Sequence, residues 1–371
     1  MTDPTARRAT CGALLLALAS VDAAAQKDAV TATDARTLDA VVVLAPLQEV
    51  PAFDVPVSST VIDLESPQRA AATLPEALAA VPGVLARDRQ NLAQDMQLSI
   101  RGFGARATFG VRGLRLYADG IPATMPDGQG QVSHFALLGG GSIDVLRGPF
   151  SALHGNSSGG VVAWRSAAPT EAPEFALEAS AGRDDTHAVG ARLRGTGGPI
   201  GYNLSVQRMR TDGYRDHSDA QRTYWHGKAG VDLGQGGRLQ LVASRLDAPD
   251  ARDPLGLTLE QARVAPTQAI AAAHAFDTRK SVRHQQLGLA HAVPLGAGTL
   301  QATAWTGARQ VQQVLAVPVA AQANPLSAGG VIDLDDAFGG LDLRWSWRGE
   351  WAGRAAQLTL GVEQQRQRQH R

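Results

Sequence analysis

From about residue 174 to the C-terminus, apolar and polar positions alternate along the chain. Ile200, Tyr202, Leu204 and Val206 are separated by Gly201, Asn203, Ser205 and Gln207, and Leu341, Leu343, Trp345 and Trp347 by Asp342, Arg344 and Ser346. A period of two puts every second side chain on one face of a strand. Segments of this kind begin near Glu174, Thr186, Ile200, Arg222, Gly237, Ser281, Gly298, Ala337 and Ala355. Each is about ten residues or somewhat more, the length of a tilted strand that crosses a bilayer. The joints between them alternate as well. Tight turns around Gly197-Gly198, Gly234 to Gly237, Pro294 to Gly298 and Gly349 to Gly353 are interleaved with long polar passages at Thr211 to Gln221, Asp247 to Lys280 and Gln312 to Asp336. Only the first joint, Arg183 to Asp185, departs from the rhythm by being short. A soluble sandwich also alternates, but only a barrel with tight turns at one end and long loops at the other has reason to keep an odd-even rhythm. Thr258 to Arg263 predicts a helical turn within one long loop.

The first part of the chain has a different texture. Short extended runs, Gln97 to Arg101, Val111 to Ala118, Ser142 to Arg147 and Val161 to Arg165, are broken by Gly102-Phe-Gly104, Asp119-Gly120, Gly148-Pro149 and the glycine-rich Gly155 to Gly160. They predict a small mixed domain. One helix is clear, because Thr73 stands three residues before Glu76 with Pro75 in the first turn and Pro82-Gly83 as the stop. Its Leu74, Leu78 and Val81 share a face that would pack on the sheet. Asn91 to Asp95 reads as loop, and Pro122 to Gln131 as a long polar loop of the kind that carries binding residues. At the N-terminus, Arg7-Arg8, an apolar run from Cys11 to Val21 and the small residues Ala23 to Ala25 have the order of a cleaved secretory leader. A polar arm follows to Thr37, then a β-branched run from Leu38 to Pro46. Such a run on a polar arm suits addition to the edge of a partner's sheet, and equally a first strand of the small domain.

Composition narrows the functional classes. Lys and Arg balance Asp and Glu at 35 each, so no basic field favours nucleic acid. Cys11 is the one cysteine and lies in the leader, which leaves no thiol for a disulfide, metal site or nucleophile downstream. Gly155-Asn-Ser157-Ser-Gly159 matches the G-x-S-x-G pattern, yet a strand rather than a helix is predicted after it, the wrong context for a nucleophile elbow. Met125, His134 and His154 make no metal-ligand pattern, and His217, His226 and His274 read as loop or wall residues.

Four motifs in series, LSIRGFG, LYADGIP, IDVLRGP and LHGNSSGG, together with LPEALAAVPGV before them, resemble the plug domain of TonB-dependent outer-membrane receptors. The resemblance covers the chain from Leu38 onward. It implies a mainly β protein: a leader over 1–25, a flexible arm with a TonB box over 26–50, a small α/β plug over 51–170, and over 171–371 the N-terminal part of a transmembrane antiparallel β-barrel. Known plugged barrels close at about 22 strands, and the chain ends at Gln364 to Arg371 without an aromatic-ended strand, so the barrel is expected to be incomplete. The box would be Asp39, Val41, Val42, Val43 and Ala45, and its partner TonB in the inner membrane of a Gram-negative cell. A ligand such as a ferric siderophore would be bound by Met125, Asp127, Gln129 and Gln131, in a TMPDGQGQ loop loosely similar to that of ferric-citrate receptors. Copper, cobalamin and saccharides stay open. Arginines such as Arg101 and Arg147 would lock the plug to wall carboxylates, for which alternation turns Glu178 and Glu363 inward. No catalytic residue, metal or cofactor is implied, and outer-membrane lipid would surround the wall. The contrasting reading is a passive surface-binding protein or a plug that no longer transports.

Overall fold

The computed structural model describes residues 41–45, 48–51, 58–65, 73–87, 89, 91–107, 110–130, 135 and 137–371, and the leader and Asp39 lie outside them. The β-branched run forms β1 (Val41–Ala45), which turns back on β2 (Gln48–Pro51) as an antiparallel ribbon of its own with a register shift between Val43 and Ala45. One edge of β1 is therefore occupied by its own chain, and the run is neither a lone strand nor part of the small domain's sheet.

The small domain holds β3 (Ser58–Asp63), α1 (Leu74–Leu78), β4 (Val84–Arg87), β5 (Gln97–Ile100), β6 (Leu114–Ala118), β7 (Ile121–Pro122), β8 (Gly140–Arg147), α2 (Ser151–His154) and β9 (Gly160–Ser166). Five of the strands make one sheet in the order β3-β8-β9-β6-β7, with only β6 and β9 parallel. β4 and β5 form a separate pair. The helix forms where capping predicted it: Thr73 accepts from the Glu76 backbone while the Glu76 side chain accepts from Thr73. Its Leu74 and Leu78, with Val81 after it, are buried among Leu98, Ile100, Leu116 and Trp164 in the main core. The G-x-S-x-G stretch lies between α2 and β9, the reverse of the order an elbow needs.

Nine strands follow as one antiparallel sheet in chain order: β10 (Glu174–Ala181), β11 (His187–Gly197), β12 (Ile200–Thr211), β13 (Ala220–Gly234), β14 (Gly237–Arg252), β15 (Arg279–Leu295), β16 (Gly298–Val314), β17 (Val331–Trp351) and β18 (Arg354–His370). Every segment read from alternation is present. β14 and β17 run further toward the long-loop end than alternation suggested, because Asp247 to Arg252 and Val331 to Asp336 keep pairing with their neighbours even where their side chains turn polar. The long loops carry α3 (Leu259–Val264), capped by Thr258 and Gln261, then α4 (Ala271–Phe276) and α5 (Val319–Gln322).

The two faces of this wall differ as the alternation requires. Phe175, Leu177, Leu204, Trp225, Leu287 and Leu360 are exposed on the outer face. Asn203, Ser205, His226, Gln240, Gln286 and Arg344 are buried on the inner face, which packs on the small domain. Close approach is possible partly because Gly288 faces β7, where a Cβ would come within 2.5 Å of the Ile121 side chain.

Candidate functional site

Three zones join the small domain to the wall: one deep inside, one at the long-loop end, and one near the tight-turn end, where Arg194 of β11 pairs with Glu65. The deep zone centres on Asp119, in the turn from β6 to β7. Asp119 and Gly120 both have positive φ, 47° and 82°, so the hairpin closes in two residues and aims the Asp119 carboxylate at the wall. The carboxylate is buried, and each of its oxygens is satisfied. Oδ1 accepts from the Ser166 backbone and hydroxyl at 3.0 Å and from Lys228 Nζ at 3.0 Å, and Oδ2 accepts from His226 Nε2 at 2.7 Å. An ionised carboxylate only accepts, so Nε2 is the protonated ring nitrogen. Gln240 Nε2 donates to the Asp119 carbonyl at 2.9 Å, and Trp164 meets the His226 ring edge-on at 4.7 Å. Burial pushes the Asp119 carboxyl up, but Lys228 and His226 outweigh it and hold the group well below the usual carboxylate range.

Other ties surround this one. Gln286 donates to the Pro122 carbonyl at 2.7 Å, Asn203 to the Ala167 carbonyl at 2.8 Å, and Arg115 of β6 pairs with Glu363 of β18. At the long-loop end, Lys280 holds Asp95 at 2.8 Å and Asp253 accepts from Asn91 at 2.7 Å.

Of the residues expected to lock the plug, the structure brings only Glu363 against an arginine of the small domain among the described residues. Glu363 does take an arginine of the small domain, but that arginine is Arg115. Arg147 lies opposite Ser58 in the β3–β8 ladder and spends its donors at home, on Pro82 O at 2.6 Å, Ser59 O at 3.3 Å and Thr60 Oγ1 at 3.1 Å. Arg101 is exposed with a left-handed φ of 52° and has no carboxylate partner among the described residues. Glu178 is on the inner side of β10 but exposed, and makes no ion pair among the described residues. Arg115 and Asp119 were missed because β6 reads as an ordinary strand and Asp119-Gly120 as an ordinary turn. The one available signal was an arginine in a buried strand four residues before a turn aspartate.

The candidate ligand residues separate. Met125 is buried with Ile121, Val242, Trp305 and Phe338 and fastens the loop to the wall instead of presenting itself to a ligand. Asp127 is exposed, 3.6 Å from Arg112, and accepts from the Gln129 backbone, while Gln129 is partly buried. Gln131 lies outside the described residues, as does His134.

A cavity of about 570 Å³ opens at the long-loop end between the two parts. Asn91, Gln94 and Asp95 line it from one side and Tyr214, Arg222, Tyr224 and Lys280 from the other. The Arg222 guanidinium lies over the Tyr224 ring at 5.3 Å, has no carboxylate partner among the described residues, and keeps a buried Nε without a hydrogen bond. An uncommitted cation stacked on an aromatic face inside a half-enclosed cavity is suited to a planar anionic group.

Comparison with known proteins agrees with this geometry. A family model described as the TonB-dependent Receptor Plug Domain matches residues 51–162. The ferric citrate transporter FecA in its unliganded form superposes with a TM-score of 0.65 at 18% identity, over 86% of this chain and 48% of that one. The ferric-catecholate import receptor Fiu from E. coli K12 gives 0.65 at 17%, over 88% and 52%. The copper transporter OprC gives 0.62 at 15%, over 84% and 47%. The chain spans about half the length of the solved structures it matches.

Proposed function

We propose that this chain, a TonB-dependent receptor by its plug and its barrel strands, takes part in energised import of a scarce iron chelate across the outer membrane. Barrels of this kind carry their long loops outside and their tight turns in the periplasm, so the cavity between plug and wall faces the medium. That cavity is the observation that carries the reading. A ligand held there rests on the plug itself, and any rearrangement of the plug alters its binding. The solved structures it resembles are named for ferric citrate, ferric catecholate and copper. The unpartnered Arg222 favours the chelates with a net negative charge.

Energy would enter through β1. Its outer edge has no partner strand among the described residues, and TonB would add there, main chain to main chain. The β1–β2 ribbon presents the run already extended, which lowers the ordering cost of that pairing. Uptake of radio-iron citrate by cells carrying this receptor, with and without a protonophore, tests the proposal. Import that stops with the protonophore supports it. Surface binding of the chelate with no import in either condition would favour the passive reading.

A further inference from the structure

The outer face of the wall carries a feature that import does not use. Between β10 and β16 lies an apolar groove of about 830 Å³ whose sides include Leu193, Leu204, Trp225 and Leu287 and whose floor includes Gly227 and Ala243. By register these positions share the outward face: Leu204 pairs with Gly227, Gly227 with Ala243, and Ala243 with Leu287. Directly beyond the groove, toward the long-loop end, the outward positions turn cationic. Arg245 sits at the groove rim opposite Trp225, and one step further Arg208, Thr223, Asp247 and Arg283 stand in one row across β12 to β15. Arg245 and Arg283 are 56% and 66% exposed and share the single Asp247 at 3.8 and 3.6 Å, too long for hydrogen bonds. Arg208 is exposed and has no acid partner among the described residues. Three guanidiniums against one carboxylate leave a net positive charge and most of their donors free.

We propose that this corner of the wall binds a phosphate-bearing lipid of the outer leaflet. One acyl chain lies in the groove against Leu204, Trp225 and Leu287, and the phosphates sit among Arg208, Arg245 and Arg283. The groove supplies apolar contact, and the small residues of its floor let a chain lie closer to the sheet than the surrounding side chains allow. The guanidiniums supply paired donors that match phosphate oxygens. The site rests on the long-loop end facing outward, but its test does not require import.

The full chain would be placed in phosphatidylcholine nanodiscs and titrated with lipid A, a doubly phosphorylated, acylated glucosamine disaccharide, carrying brominated acyl chains that quench tryptophan. The difference between the native chain and Trp225→Phe isolates the groove signal. Saturable quenching of Trp225 is expected, with half-saturation raised about tenfold or more in the Arg245→Gln/Arg283→Gln double variant and for lipid A stripped of its phosphates. Gly227→Leu, which fills the floor, should abolish the signal while the β-sheet circular dichroism stays native. Equal titration of the native chain by the phosphate-free lipid, or a double variant that titrates like the native chain, would overturn the proposal. So would full reversal of the quenching by inorganic phosphate, which would assign the arginines to free anions.

Discussion

The Asp119 carboxylate is the residue on which the seating of the plug depends most. Replacing it with Ala leaves the partly buried Lys228 without its carboxylate and the buried His226 without its acceptor, a loss of at most about 3 kcal/mol to the seated plug. Because the folded carboxyl is held below its ordinary value, its stabilisation is present in full above that value and fades as the pH falls beneath it. Amide exchange of β6 and β7 should accordingly be faster in Asp119→Asn than in the native chain at pH 7, and the gap should begin to narrow below about pH 4 and close only as the pH falls through the depressed value of the folded carboxyl. A gap that does not narrow at all in acid would refute the ionic account. At the ligand end, Arg222→Ala should weaken binding of ferric citrate about tenfold and leave a neutral ferric hydroxamate unchanged, measured by equilibrium titration. Equal losses for both chelates would mean that Arg222 shapes the cavity without reading charge. None of these pairings was legible in the chain. Asp119 and His226 are 107 residues apart, and Arg147 could be assigned to the wall only while its own neighbour β3 went unrecognised.

Elements were far more legible than contacts. Period-two alternation identified all nine wall strands because each has one exposed apolar face and one face against polar groups, and α1 was announced by its capping box. β3 and β4 were not seen, since Ser58-Ser-Thr-Val-Ile-Asp63 and Val84-Leu-Ala-Arg87 are too short for a period to show. Two predictions belong at this scale. Val42→Pro removes a backbone donor and fixes φ within β1, so a peptide spanning Asp39 to Pro51 should lose binding to the periplasmic domain of TonB, as read by calorimetry. Undiminished binding of the proline peptide would exclude strand addition. Gly288→Val places side-chain atoms where Ile121 already sits. It should push β7 off the wall and raise passive entry of small antibiotics, whereas Gly256→Val, in a long loop with nothing within 4 Å of its Cβ position, should not open that path.

At the scale of the molecule, the order β3-β8-β9-β6-β7 has a mechanical consequence. A pull on β1 reaches the plug sheet first at β3, which is one margin of that sheet, while Asp119 and Pro122 tether the opposite margin to the wall. Load and anchor thus lie at opposite ends of a series of four interstrand seams. The seam nearest the load, β3 against β8, is six residue pairs long, and just beyond β3 Glu65 pairs with Arg194 of the wall. If tension is applied at β1, this seam would be loaded before the anchored margin, so that a passage would open on one side of the plug while the other side stays moored and guides the strand back when the force is released.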